Sequence, residues 1–258
     1  MTSRLAAITL NTFREAVRDR VLYNLIFFVL LLVASAPLFS QISIGMERLI
    51  LVNVGLSSIS LFGGIIAIFI GIGLVSKEIE KKTLYTILSR PVRRWEFIVG
   101  KYLGLMVTLV VNTVLMTAGF YLALLITAHG LKKADALLLV AVYFTVLQFL
   151  MITAITLLFS SFSTPIFSAI FAFALFVIGT FAEDLRTFAS MSHGVAKWLV
   201  TAAAYVVPNF ASLNVISQVA HDQAIGGRLI LLNTLYALLY SAAVTAGAVV
   251  VFERRNLK

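Results

Sequence analysis

The sequence contains no cysteine and little charge. Of its 258 residues only 12% are Asp, Glu, Lys or Arg, against 61% hydrophobic residues and a mean hydropathy of +1.04. Without cysteine there is no disulfide, no thiol nucleophile and no thiolate metal site, and for a membrane chain the absence says nothing about compartment. With so few charges there is too little polar surface to cover a water-soluble globule, so lipid is the main solvent. Histidine is scarce too. His129, His193 and His221 fall in separate loops, and none is spaced from another histidine or a carboxylate as metal ligands would be. The six methionines are scattered over different elements and form no cluster for a soft metal ion. A phosphate-binding loop of the form G-x-x-x-x-G-K-[ST] is also missing, since Gly100 and Lys101 are followed by Tyr102 and lack the earlier glycine. No convergent acid, base or metal groups remain, so the chain is expected to have no catalytic site and to hold no cofactor or metal.

What the sequence does have is long apolar runs. Six of them, at 21–39, 49–75, 102–127, 136–159, 166–182 and 229–252, contain no Asp, Glu, Lys, Arg or His. A bilayer core needs roughly 20 apolar residues at helical rise, and in hydrocarbon the backbone must satisfy its own hydrogen bonds. The expectation is an all-α polytopic membrane protein with six transmembrane helices in a single domain, 1–258. The runs also lack the intramembrane ionisable groups that ion-coupled carriers use as relays, which weakens secondary active transport. Their polar residues, Asn53, Ser57, Ser58, Ser60, Asn112, Thr113, Gln148, Thr153, Asn233 and Thr234, read as interhelical hydrogen-bond partners, a few of which could face a substrate path.

Lysine and arginine are distributed asymmetrically. Fourteen of the twenty fall before the first run (Arg4, Arg14, Arg18, Arg20), between the second and third (Lys77, Lys81, Lys82, Arg90, Arg93, Arg94, Lys101) and after the last (Arg254, Arg255, Lys258). The other side holds Arg48, Lys132, Lys133, Arg186, Lys197 and Arg228. Basic residues in short loops are retained inside, so both termini are expected in the cytoplasm. The formal charge of +9 is then a topology signal and not a nucleic-acid footprint, because these cations flank spans and are not interleaved with exposed aromatics.

Three segments between the runs carry pattern of their own. Residues 1–20 place Leu5, Ile8, Thr12, Phe13, Ala16 and Val17 on one helical face and Arg4, Asn11, Arg14, Glu15 and Arg18 on the other, as an interfacial amphipathic helix does. They include no apolar stretch suited to a cleavable signal, so the start is expected to be retained. Residues 77–101, KEIEKKTLYTILSRPVRRWEFIVGK, are the most charged stretch. Thr83, Leu84, Ile87 and Leu88 are spaced as a short helix that Arg90-Pro91 breaks, and Trp95 restarts the chain at headgroup level. A solvated positive-inside loop would account for the charges, though not for the apolar stripe or the proline-bounded break; a docking knob for a cytoplasmic partner accounts for all three. Residues 184–227 form a long outer connection with an apolar stretch, 195–207, too short to span comfortably, so short re-entrant or interfacial helices anchored by Trp198 and Phe210 are expected. The connection 160–165 is short enough to make the fourth and fifth spans antiparallel neighbours. Ser60 with Gly64, Gly100 with Gly104, and Ala243 with Gly247 permit close helix approach.

In the segment 78–104 the chain resembles the permeases of the ABC-2 family, whose inter-span segment reads E-x-x-x-G-T-L-x-x-L-L-S-x-P-V-x-R followed by G-K. Glu78, Thr83, Leu84, Leu88, Ser89, Pro91, Val92, Arg94, Gly100 and Lys101 match, and Lys82 stands where many members have glycine. The amphipathic start and the long outer connection extend the resemblance over essentially the whole chain. The Lys-Lys-Thr version is similar to the branch of the nitrous-oxide-reductase copper-maturation, or multicopper-enzyme maturation, permeases. The resemblance implies a type V exporter-like transmembrane domain in a bacterial inner membrane. It also implies a coupling helix around 78–91 seated in a separate cytoplasmic ATPase. Glu78, Thr83, Leu84, Leu88, Ser89, Arg90, Pro91, Arg93, Arg94, Gly100 and Lys101 are then the ATPase-coupling candidates, ATP and magnesium belonging to that partner. It further implies two ATPase copies and a second permease copy, the homodimer preferred, working in export or in mechanical transmission to an extracytoplasmic partner. The competing readings are a non-transporting membrane scaffold whose basic loop binds anionic lipid, and an ion-coupled carrier.

Overall fold

A computed structural model of the chain describes residues 2–18, 47–80, 93–127, 133–191 and 193–254, together with Tyr23, Ile26, Phe27, 29–31, Ala34 and Ser35. Among the described residues the fold is helical, without strands. The helices are α1 (Thr2–Arg18), α2 (Glu47–Glu80), α3 (Arg94–Thr127), α4 (Leu138–Phe162), α5 (Pro165–Thr180), α6 (Ala182–Met191), α7 (Gly194–Val206), α8 (Ile216–Ala220) and α9 (Gly227–Arg254). Single 3₁₀ turns at Lys133–Leu137 and Ala211–Leu213 lead into α4 and towards α8.

Among the described residues four stretches are long and apolar enough to cross a membrane: Arg48–Gly73, Arg94–Ile126, Asp135–Phe162 and Gly227–Arg254. The joined pair α5 and α6 passes the same test but bends by 64° at Phe181. These five correspond to the last five apolar runs. The first run, 21–39, lies largely outside the described residues, and those of its residues that are described are helical. Both α2 and α3 are 34 residues long, about 50 Å at helical rise, and so overrun a hydrocarbon core of about 30 Å. The sequence places the start of the third span at 102, yet α3 begins at Arg94. The extra turns are held because Phe97 and Ile98 are buried, Phe97 stacking on Phe252 of α9 at 5.7 Å between ring centroids.

At the centre stands α4, whose residues 151–157 are all buried. It packs against α2, α3, α5 and α9. Close approach of α2 depends on missing side chains: a Cβ on Gly63 would come within 2.1 Å of the Phe149 ring. Outward faces are as apolar as the interior. Val110, Val111, Val114 and Leu115 on α3 and Leu231, Leu232, Leu235, Leu238 and Leu239 on α9 are exposed, the pattern of helices solvated by lipid. The two-residue link Ser163-Thr164, with Pro165 in the first turn of α5, makes α4 and α5 antiparallel neighbours.

The outer connection departs in one respect from the sequence reading. Helices α6 and α7 pack on each other, and Gly194, at φ +64°, permits the reversal between them. Trp198 is 79% exposed, as an interface anchor would be. Phe210 is instead 2% exposed and belongs to the core, because its N–H donates to Gly179 O (3.0 Å) and its ring fills the space that Gly179 leaves open beside Phe176.

Candidate functional site

The chemistry-bearing side chains gather at the two ends of the bundle. At one end lie α1, the end of α2, the start of α3 and the end of α9. Amphipathic spacing gives α1 a face of Ile8, Thr12 and Ala16, with Thr12 and Ala16 fully buried and Arg4, Asn11, Arg14 and Arg18 exposed. That face packs on α3. A Cβ at Gly100 would meet Ile8 Cγ2 at 2.6 Å, and one at Gly104 would meet Thr12 Cβ at 2.5 Å and the Thr9 carbonyl oxygen at 2.8 Å. The Gly100 and Gly104 spacing, read in the sequence as permitting close helix approach, is therefore the seat of α1. Thr9 Oγ1 donates to Gly100 O at 3.5 Å.

Of the eleven coupling candidates, Thr83, Leu84, Leu88, Ser89, Arg90 and Pro91 lie outside the described residues. Glu78 is in the last turn of α2. Arg93 is exposed and precedes α3, its backbone N–H donating to Glu96 Oε2 (3.0 Å), which gives the helix half of a capping box. Arg94 turns towards α9, its Nη1 donating to Glu253 O (2.8 Å) and Phe252 O (3.4 Å). These carbonyls belong to the helix C-terminus, where cations are favoured. Lys101 is 1% exposed, with Nζ 3.2 Å from Glu15 Oε2 on α1 and 5.8 Å from the centre of the Phe97 ring. Arg94, Gly100 and Lys101 thus hold α9 and α1 at the start of α3.

At the opposite end Arg48, in the first turn of α2, pairs with the buried Asp135 and, at 3.2 Å, with the exposed Asp222. Tyr121 donates its hydroxyl to Asp135 O (2.6 Å), and Asp222 has φ +56°. The start of α2, the turn before α4 and the turn before α9 are tied together there. Nearby, segment 208–216 is pinned at two points by α9. The Asn209 N–H donates to Tyr236 Oη (2.9 Å), and Asn233 Nδ2 donates to Ser212 O (2.8 Å). Beneath this segment, between α2, α4 and α5, is a cavity of ≈ 280 Å³. Among the described residues no ionisable side chain lines it, and in it Ser60 Oγ donates to Gln148 Oε1 (2.9 Å).

The family model described as ABC-2 family transporter protein matches residues 6–257. The chain belongs to this family. Among curated proteins none matches the chain closely enough to count as a relative. An ABC-2 permease is a multi-pass membrane subunit of an ATP-binding-cassette transporter, and membership implies an ABC ATPase partner.

Several contacts that organise this ABC-2 permease could not be read as pairings in the sequence. Glu15 and Lys101 are 86 positions apart, and Arg48 is 87 from Asp135 and 174 from Asp222, so no local spacing betrays either ion pair. The Arg93-x-x-Glu96 cap was legible in principle, since a carboxylate three residues after a helix start is a local signature. Gln148 and Ser60 stand out as polar residues in apolar runs, but their meeting is a matter of helix packing.

Proposed function

We propose that this ABC-2 permease crosses a bacterial inner membrane six times with both termini in the cytoplasm. It works as a homodimer with two copies of a separate cytoplasmic ATPase, which binds the ATP and magnesium. The chain has no catalytic site of its own. Hydrolysis on the partner is coupled, through residues 78–94, to export or to mechanical transmission towards an extracytoplasmic partner. Its Lys81-Lys82-Thr83 sequence aligns it with the branch of copper-maturation permeases.

The observation that carries this reading is the anchoring of the segment's far end. Arg94 grips the last carbonyls of α9, and Lys101, two turns on, reaches Glu15 of α1. A push on residues 81–92 would be delivered to α1, α3 and α9 together, which is what a rigid coupling element must do. Leu84 and Leu88, four positions apart in the sequence, supply the apolar contact; Arg90 and Arg93 supply charge.

The test is Leu84→Glu with Leu88→Glu in the tagged full chain, purified from membranes of its native host. Vanadate-sensitive ATP hydrolysis that accompanies the wild type should fall at least about tenfold, as expected when charges replace apolar contacts at the centre of an interface. Membrane insertion and the size-exclusion profile should stay unchanged. Undiminished hydrolysis would remove the docking role. Scrambling 78–94 at constant charge separates the scaffold reading, in which function survives, from the coupling reading, in which it is lost. Wild-type chain that retains no ATPase at all would favour the scaffold or the ion-coupled carrier.

A further inference from the structure

The cavity beneath segment 208–216 has a floor and a rim of opposite character. At the floor stands Gln148, in the middle of α4 and only 8% exposed. Its amide oxygen is occupied by Ser60, which leaves the amide NH₂ with no partner among the described residues. Ser57 Oγ and Asn214 Nδ2, also on the cavity wall, are likewise without a partner among the described residues; Asn214 Oδ1 is taken by the Ile216 N–H at 3.3 Å. The other hydroxyls in the lining are satisfied by their own helices, Thr145 donating to Ala141 O and Thr180 to Phe176 O. The rim is apolar and open. Leu61 on α2 is 48% exposed, Val177 on α5 39% and Phe181 just past α5 59%, so the mouth faces sideways between α2 and α5.

We propose that this cavity binds the uncharged, hydrogen-bonding head of an amphipathic molecule that enters sideways, its tail lying along Leu61, Val177 and Phe181. Charge is disfavoured because, among the described residues, no ionisable group lines the cavity to pair with it, and an unpaired buried ion is costly. A purely apolar occupant is disfavoured for the converse reason, since it would leave the Gln148 amide dry and unsatisfied. Size agrees. At ≈ 280 Å³ the space is just under the usual range of about 300–1,000 Å³ for whole-ligand pockets, enough for a head and its first carbons with the remainder outside. The inference concerns binding and stands apart from any ATPase coupling.

Photolabelling of the purified full chain in lipid nanodiscs tests it with three probes of equal chain length, each bearing a diazirine in the alkyl portion. These are a monoacylglycerol, an alkyl sulfate and a plain alkane. The monoacylglycerol should label α2 and α5 peptides around Leu61 and Val177. Loss of one hydrogen bond in Gln148→Leu should lower that yield about five- to tenfold. Labelling of the outward α3 face around Val111 and Val114 should not change. Ser57→Ala, at an exposed position, should lower the yield in the same direction and decides the matter if Gln148→Leu fails to fold. Equal labelling at the mouth by the sulfate or the alkane, or a yield indifferent to both substitutions, would overturn the proposal.

Discussion

The two ends of the bundle each hold an ion pair, and the pairs are mirror images in burial. At the α1 end the cation is hidden: the Lys101 side chain is 2% exposed while its partner Glu15 is 41% exposed. At the opposite end the anion is hidden: the Asp135 side chain is 4% exposed and Arg48 is 22% exposed. In a buried pair the damage done by a substitution is set mainly by the ion left behind, because that ion has lost water and now also the opposite charge that compensated for it. The sensitive member is thus the one that can reach water, Glu15 at one end and Arg48 at the other. The ends differ also in what surrounds the pair. Around Lys101 the elements are whole helices locked by glycine contacts and a Phe97–Phe252 stack; around Asp135 they are turns held by side-chain hydrogen bonds to backbone groups.

The most direct way to break this comparison is to lift α1 off α3 and expose Lys101. Gly104→Val should do so, since its Cβ would sit 2.8 Å from the Thr9 carbonyl oxygen, a backbone atom that cannot move aside by changing rotamer. The expected loss is about 3 kcal/mol, the upper end of ordinary overpacking. The chain has no native cysteine, so the displacement can be read at one engineered position. Ala16→Cys, 1% exposed in the native fold, should pass from protected to maleimide-reactive when Gly104→Val is added. Protection that persists would place the seat of α1 elsewhere.

The opposite end is sharpened by a smaller pair of changes. Arg48→Met strips Asp135 of its guanidinium partner and should cost about 2–3 kcal/mol, somewhat less than a fully buried pair because Arg48 is partly open. Asp222→Asn removes a carboxylate whose side chain is 50% exposed and should stay within about 0.5 kcal/mol of wild type. Thermal unfolding in nanodiscs reads both. Adding Asp135→Asn to Arg48→Met should restore most of the loss, and equal losses for Arg48→Met and Asp222→Asn would show that burial does not rank these contacts.

What was legible in the sequence follows from the same physics. Lipid as solvent forces apolar runs and self-satisfied helices, so the last five apolar runs, the amphipathic face of α1 and the short α4–α5 link could be read directly. Element ends were harder. The start of α3 at Arg94 depends on Phe97 meeting Phe252, 155 positions away, and the bend at Phe181 depends on segment 208–216 closing over Gly179. Phe210 has the composition of an interface anchor and becomes core only because Gly179 leaves it room. In the candidate site, the glycine spacing of 100 and 104 was visible without its partner, and the ion pairs and the Ser60–Gln148 contact were invisible because helix rotation in a bundle is set by packing against neighbours that the local pattern does not name.

The finest discrimination lies within the Lys101 pair itself. Lys101→Met keeps the length of the side chain, removes the buried ammonium and leaves Glu15 free to turn towards water, so its cost should be within about 1 kcal/mol of zero in either direction. Glu15→Gln is the gentler change by volume, yet it leaves the ammonium beneath α1 facing a neutral amide and should cost about 1–2 kcal/mol. In the double variant Glu15→Gln with Lys101→Met the amide has no buried charge to serve, and stability should return to the level of Lys101→Met alone. That order, with the change at the more exposed residue the more harmful, is the reverse of what exposure alone predicts. The same order is expected at the other end with the signs exchanged, where Arg48→Met should outweigh the change that removes Asp135 and its partner together. If Lys101→Met proves the costlier of the two, the ammonium is held chiefly by Phe97 and its other neighbours, and Glu15 is a passenger on the exposed side of α1.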